Sequence, residues 1–328
     1  MGEQVIFMTM LSIQTTQINL YLSALIFFFG VIGNLLNIFV LTHRSIRSNS
    51  CIFLFLISSI ANLISIVSGL ISRILSTWQL DFTEIYDVPC KLRAFITFTS
   101  RSTALWLIML ATMDRWMISS SEIHRRKLSS LKTAQKGSIL ITIISISFYL
   151  HMLYCYQANL SKTPLKCYGK TSMCRLTTDL TYACFTIILP IVLMTGFGVQ
   201  TIFNVREAQT AIKISEISSE KSATREPLTV SQQKQQRWRK LENYLRRMLF
   251  IQVILLIFLT LPQAIHKIFY SITSNENKSA LAYDFDRFLY QFELLLPFIQ
   301  SGLPFYINTL AGGKIFRKTL YKLMRCPK

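Results

Sequence analysis

The dominant pattern along the chain is a series of long apolar runs separated by shorter polar stretches. A helix that crosses a bilayer needs about 20 mostly apolar residues. Seven segments meet that need, over roughly 18–41, 51–78, 92–119, 137–156, 179–203, 243–270 and 285–310. The first, second and fourth are unambiguous. The third, sixth and seventh carry polar residues, which predicts faces turned toward protein or water instead of lipid. The expected fold is therefore an all-α membrane protein, a bundle over 18–310 between a short segment 1–17 and a tail 311–328. No charged region precedes the first apolar run, so no cleaved signal peptide is expected.

One connection is long. Residues 204–242 are polar and charged with no apolar face. They predict helical extensions of the fifth and sixth spans around a disordered centre near Ser218–Val230. After Leu310, Ala-Gly-Gly stops the helix. The stretch from Lys314 then places apolar residues at 315, 316, 320 and 323 between basic ones, the pattern of a short interfacial helix lying on membrane lipid. Cys326 beyond it is either a palmitoylation site or an unmodified thiol.

Composition agrees with a membrane protein. Of 328 residues, 51% are hydrophobic and 16% charged, against about 25% charged in globular chains. A net charge of +19 on a soluble protein would suggest nucleic acid as a partner. Here the charge instead sorts by side, and no nucleic-acid partner is expected. If the N-terminus is outside, the inner segments hold 24 Lys/Arg and 7 Asp/Glu, and the remainder holds 11 and 9. That asymmetry sets the N-terminus outside and the C-terminus inside. The sequons at Asn159 and Asn277 both fall in predicted outer loops, where they are candidate glycosylation sites. The seven cysteines include no C-x-x-C pair and no metal-ligand spacing, so neither a zinc site nor a cofactor is expected.

Several local motifs accompany this topology: Gly33-Asn34 in the first span, Met113-Asp114-Arg115-Trp116 ending the third, and Cys90 placed 25 residues before Arg115. Pro190 and Pro262 fall in the fifth and sixth spans, and Pro304-Phe-Tyr-Ile-Asn runs toward the interfacial helix. In their joint order and spacing they resemble the rhodopsin-like G protein-coupled receptors, over almost the whole chain. The chain departs from that pattern as well. Asn62 stands where the family has an acid, the fourth span lacks its Trp, Leu259-Thr260-Leu261 precedes Pro262 without a Trp, and Gly198 replaces a Tyr. These departures suggest a divergent peptide-type or chemosensory member.

The resemblance implies a plasma-membrane receptor, not an enzyme, that passes an extracellular ligand's signal to a heterotrimeric G protein. The ligand would be a peptide or a small molecule. It assigns switch roles to Asp114, Arg115, Pro262 and Pro304, with Glu242, 20 residues before Pro262, as a second acid for Arg115. It implies a disulfide from Cys90 to Cys167, or to Cys174 instead, with Cys155 and the remaining cysteine forming a second. Asn34 and Asn62 are expected to bond each other or water between spans. The segment 154–168 is expected to form a hairpin.

Arg101 is the most specific feature. It lies 14 residues above Arg115, roughly 21 Å along a helix, at membrane depth. An arginine there is costly and usually has a partner or a function. It either meets an anionic group of the ligand or pairs with Glu293 of the seventh span; Arg73 serves either role. Gln263 and His266 are expected to line the same cavity. Other classes fare worse. A transporter would need an internal repeat with broken helices. A retinal-binding protein would need a lysine in the seventh span, but none occurs between Lys278 and Lys314. A non-signalling seven-helix protein is the remaining alternative.

Overall fold

The computed structural model describes residues 2–43, 49–78, 80–160, 163, 165–219, 230–273 and 280–310. Within them the chain is a bundle of long helices with one small hairpin. The first helix is Gly2–Leu41. It begins earlier than the expected span because the segment 3–17 holds no Pro or Gly and carries apolar residues throughout. The second is Ser50–Thr77, capped by Asn49, whose side chain accepts from the backbone N–H groups of Cys51 and Ile52. The third, Asp87–Ser119, packs against the second, fourth and fifth and forms the axis of the bundle. The fourth is Leu131–Tyr149, capped by Ser130 and followed by a turn at Met152–Cys155.

The fifth span starts as an α-helix, Ser172–Leu180, and widens into a π-helix, Thr181–Ile188, before continuing as Leu189–Ser219. Pro190 leaves one carbonyl of this segment without a backbone partner. In the i→i+5 pattern the carbonyl of Phe185 would be paired with residue 190, which has no N–H. The Trp106 indole of the third span donates to that carbonyl instead, at 3.1 Å. The sixth span is the helix Val230–Thr273, with Pro262 inside it. Both inner extensions expected around the long loop are thus helical up to Ser219 and from Val230.

Among the described residues, six helices are long and apolar enough to cross a membrane. The seventh span is divided into Ala280–Glu293, Leu296–Gly302 and Pro304–Leu310. Pro297 and Pro304 stand at the starts of the second and third pieces, where a proline costs no internal hydrogen bond. The polar character of this span and its interruptions have the same consequence: it is held by neighbouring helices more than by lipid.

Small residues set the closest approaches. A Cβ on Gly302 would stand 3.1 Å from the Gly30 Cα, so the first and seventh spans touch backbone to backbone there. A Cβ on Gly69 would stand 2.3 Å from the Phe298 ring, which fills the space that glycine leaves. The main apolar core lies between the second, third, fifth and sixth spans toward the inner end, around Leu54, Leu107, Ile108, Met194 and Leu256.

The expected eighth helix, Cys326, the sequon at Asn277 and the middle of the long loop lie outside the described residues.

Candidate functional site

The outer end is closed by the loop between the fourth and fifth spans. Two short antiparallel strands, Tyr156–Gln157 and Tyr168–Gly169, form the hairpin. One disulfide joins Cys90 to Cys167 and a second joins Cys155 to Cys174. The first ties the hairpin to the third span and the second ties it to the start of the fifth. Further bonds hold it flat against the bundle. Lys166 pairs with Glu84 at 2.8 Å, and the Ala158 N–H donates to Asp87 at 2.8 Å. Asn159 is exposed at the turn with φ 60°, a left-handed conformation that asparagine tolerates better than most residues.

The hairpin sends Tyr168 down into the bundle, where it is buried with Tyr290 and Leu294. The Tyr290 hydroxyl donates to the Tyr168 hydroxyl at 3.2 Å, and the latter reaches Asp179 at 3.5 Å. Burial pushes the Tyr168 hydroxyl well above its ordinary pKa.

Beneath the hairpin is an ion pair that sequence reasoning missed. Lys267 Nζ of the sixth span lies 2.9 Å from Asp179 Oδ1 of the fifth. Both side chains are 2% exposed. The rings of Tyr182, Phe98 and Tyr290 surround the ammonium, with centroids at 5.0, 5.2 and 5.8 Å. Neighbouring polar groups are paired as well: Tyr182 donates to Gln263 at 2.8 Å, and Tyr149 bonds Thr186. Gln263 of the sixth span thus has a tyrosine of the fifth as its partner.

Arg101 lies one helical turn below Phe98. It is 4% exposed, and its guanidinium sits 4.0 Å over the Phe298 ring. The expected pairing with Glu293 is not formed. Glu293 instead meets His266 of the sixth span, Oε2 to Nδ1 at 2.7 Å, close but without the alignment of a hydrogen bond. Among the described residues, Arg101 Nε and Nη2 have no hydrogen-bond partner. Arg73 is half-buried, and its Nη1 reaches Asn19 at 3.4 Å. Arg93 donates to Ser72 at 2.6 Å. The upper part of the second and third spans thus carries three arginines, and the innermost has donors to spare.

At the other end, Arg115 Nη2 and Asp114 Oδ2 are 2.5 Å apart and both residues are buried. Ser50, the first residue of the second helix, donates to the Asp114 carboxylate, lying 2.8 and 2.9 Å from its two oxygens. Ser129, ahead of the fourth helix, donates to Oδ1 at 2.5 Å. Arg115 also reaches the capping Asn49 at 3.4 Å. Asp114 therefore ties three helix ends together and holds Arg115 along the bundle floor. Glu242 lies in the sixth helix, but its side chain is outside the described residues.

The two interhelical asparagines, Asn34 and Asn62, do not bond each other directly. The Asn34 amide donates to the carbonyls of Gly30 at 2.8 Å and Ser301 at 3.0 Å, joining the first span to the seventh. Asn62 Nδ2 has no partner among the described residues. The link between spans one, two and seven runs through Asn37, which donates to Ser59 at 2.6 Å and accepts from Asn308 at 2.8 Å. Tyr244 of the sixth span then donates to the Asn308 carbonyl at 2.9 Å.

The chain is thus a helical bundle with a disulfide-tethered outer hairpin and a buried Asp-Arg pair at its inner end. The sequence profile of the seven-transmembrane receptors of the rhodopsin family matches residues 8–303. The chain belongs to that family. No curated protein matches it. The receptor is a multi-pass protein of the plasma membrane, in a family of receptors and not of enzymes. Membership implies an extracellular ligand and a G protein as its general partners.

Proposed function

We propose that this receptor binds its ligand within the outer half of the helical bundle, holds an anionic group of that ligand on Arg101, and signals to a heterotrimeric G protein through Arg115. The single observation that carries the ligand reading is the state of Arg101: a buried guanidinium with one face on Phe298 and two donors unspent. A buried charge without a polar partner is costly, and a carboxylate or phosphate ester arriving from outside would supply two hydrogen bonds to a planar fork. Arg73 adds positive potential from the second span. Gln263, His266 and Glu293 line the same side of the bundle and supply the contacts that orient the rest of a peptide or small molecule.

At the inner end, Asp114 restrains Arg115, with Glu242 as the second acid from the sixth helix. Ligand binding shifts the population toward a packing in which the sixth span moves and Arg115 is released, by the differential affinity of the ligand for the two states. Pro262 and the interruption at Pro304 are the places where those spans bend. Asn159 and Asn277 are the proposed glycan sites.

The test is a screen of anionic peptides and small carboxylates in cells carrying a promiscuous G protein, each hit repeated on Arg101→Gln at matched surface level. A hit that acts equally on both would overturn the Arg101 reading.

A further inference from the structure

We propose that the cage formed by Asp179, Phe98, Tyr182 and Tyr290 is an ammonium-binding site, and that Lys267 is its resident, tethered occupant. The recognition chemistry is complete. A carboxylate oxygen lies 2.9 Å from the ammonium nitrogen. Three ring centroids lie within 6 Å of it, the range in which an aromatic face attracts a cation. The rings come from the third, fifth and seventh spans, and the ammonium comes from the sixth. Filling the cage therefore joins four helices at their outer ends.

The surroundings favour a built site over an incidental contact. Asp179 is placed by the turn of helix just before the π-helical segment Thr181–Ile188, which carries Tyr182 in its first turn. Tyr182 is fixed by Gln263, and Tyr290 by Tyr168 of the hairpin. Two of the three rings are thus held by a hydrogen bond to an element other than their own. Lys267 and Asp179 are shielded from bulk solvent, each 1% exposed. A free alkylammonium ion would find the same partners if the lysine were shortened.

Two consequences follow. An amine ligand would have to expel Lys267 to reach Asp179, so the wild-type cavity selects against cations. Loss of Lys267 from the cage also unfastens the sixth span from the third, fifth and seventh together. The site stands on its own geometry, whether or not Arg101 receives a ligand.

Chemical rescue tests it. Lys267→Ala removes three methylene groups and the ammonium, a void matched by n-propylammonium. The purified full-length variant is expected to melt below wild type, and millimolar n-propylammonium chloride to raise its Tm saturably. Neutral propan-1-ol and sodium chloride at equal ionic strength should not do so. Asp179→Asn combined with Lys267→Ala should abolish the rescue while leaving the protein foldable, since no charge is left unpaired. If Lys267→Ala is too unstable to purify, n-propylammonium supplied during expression should restore its surface level. Rescue by propan-1-ol equal to that by the ammonium, or no rescue by either route, would overturn the proposal.

Discussion

The guanidinium carbon of Arg101 lies 4.0 Å above the centre of the Phe298 ring. The contact joins the third span to the broken seventh, and Gly69 of the second span completes it by leaving room for the ring. It gives Arg101 a partner that satisfies one face and none of its donors. Arg101→Gln should therefore fold and reach the surface, but lose potency toward an anionic ligand. Loss of a charged hydrogen bond typically costs about 1.5–3 kcal/mol, or about 10- to 150-fold in affinity. Because His266 already engages Glu293, Glu293→Gln should not rescue Arg101→Gln in a thermal-stability assay. Rescue there would restore the paired-charge reading.

Gly69 and Phe298 should be energetically coupled. A Cβ at position 69 meets the ring at 2.3 and 2.5 Å, and the ring is confined by Arg101 on its other side. Gly69→Ala should lower stability by about 1–3 kcal/mol, the usual cost of overfilling a packed site. Phe298→Leu makes space and should make the double mutant less destabilised than the sum of the singles. Additive melting temperatures would mean that the two residues do not compete for the same volume.

The two disulfides should differ in consequence. Cys90→Ser frees the hairpin from the third span, closing a loop of 77 residues in the intact chain, and should cost roughly 2–4 kcal/mol. Cys155→Ser opens a loop of 19 residues and should cost less in the chain-entropy account, which scales with loop length. Surface expression and melting of the two serine variants, with Cys174→Ser matching Cys155→Ser, check the order.

The span order, the orientation and the Cys90 tether were legible because each rests on a local pattern: apolar length, charge asymmetry and motif spacing. The pairing inside the bundle was less so. Arg101 was found from its depth alone, yet its companion is an aromatic ring, which carries no charge signal to match. Asp179 and Lys267 sit near the outer ends of their spans, where charged side chains ordinarily reach out to water. Only the π-helical turn at Thr181–Ile188 and the hairpin above show that they face inward. Asn34 bonds backbone carbonyls of Gly30 and Ser301, partners present at every residue and so invisible as a pattern. The same holds at the inner end, where Ser50 and Ser129 reach Asp114 from positions that read as a helix start and a loop.

In the proposed mechanism the Asp114–Arg115 pair is the inner switch of the receptor. Ser50 and Ser129 donate to Asp114, and Asp114 holds Arg115. Weakening that hold should free Arg115 without any ligand. The direct measurement is nucleotide exchange on heterotrimeric G proteins of each class, catalysed by the full-length receptor in membranes. The account predicts exchange by Asp114→Asn severalfold above wild type for at least one class, and its return to background when Arg115→Ala is added. Exchange at background for Asp114→Asn with every class, or unchanged by Arg115→Ala, at wild-type surface level, would contradict it.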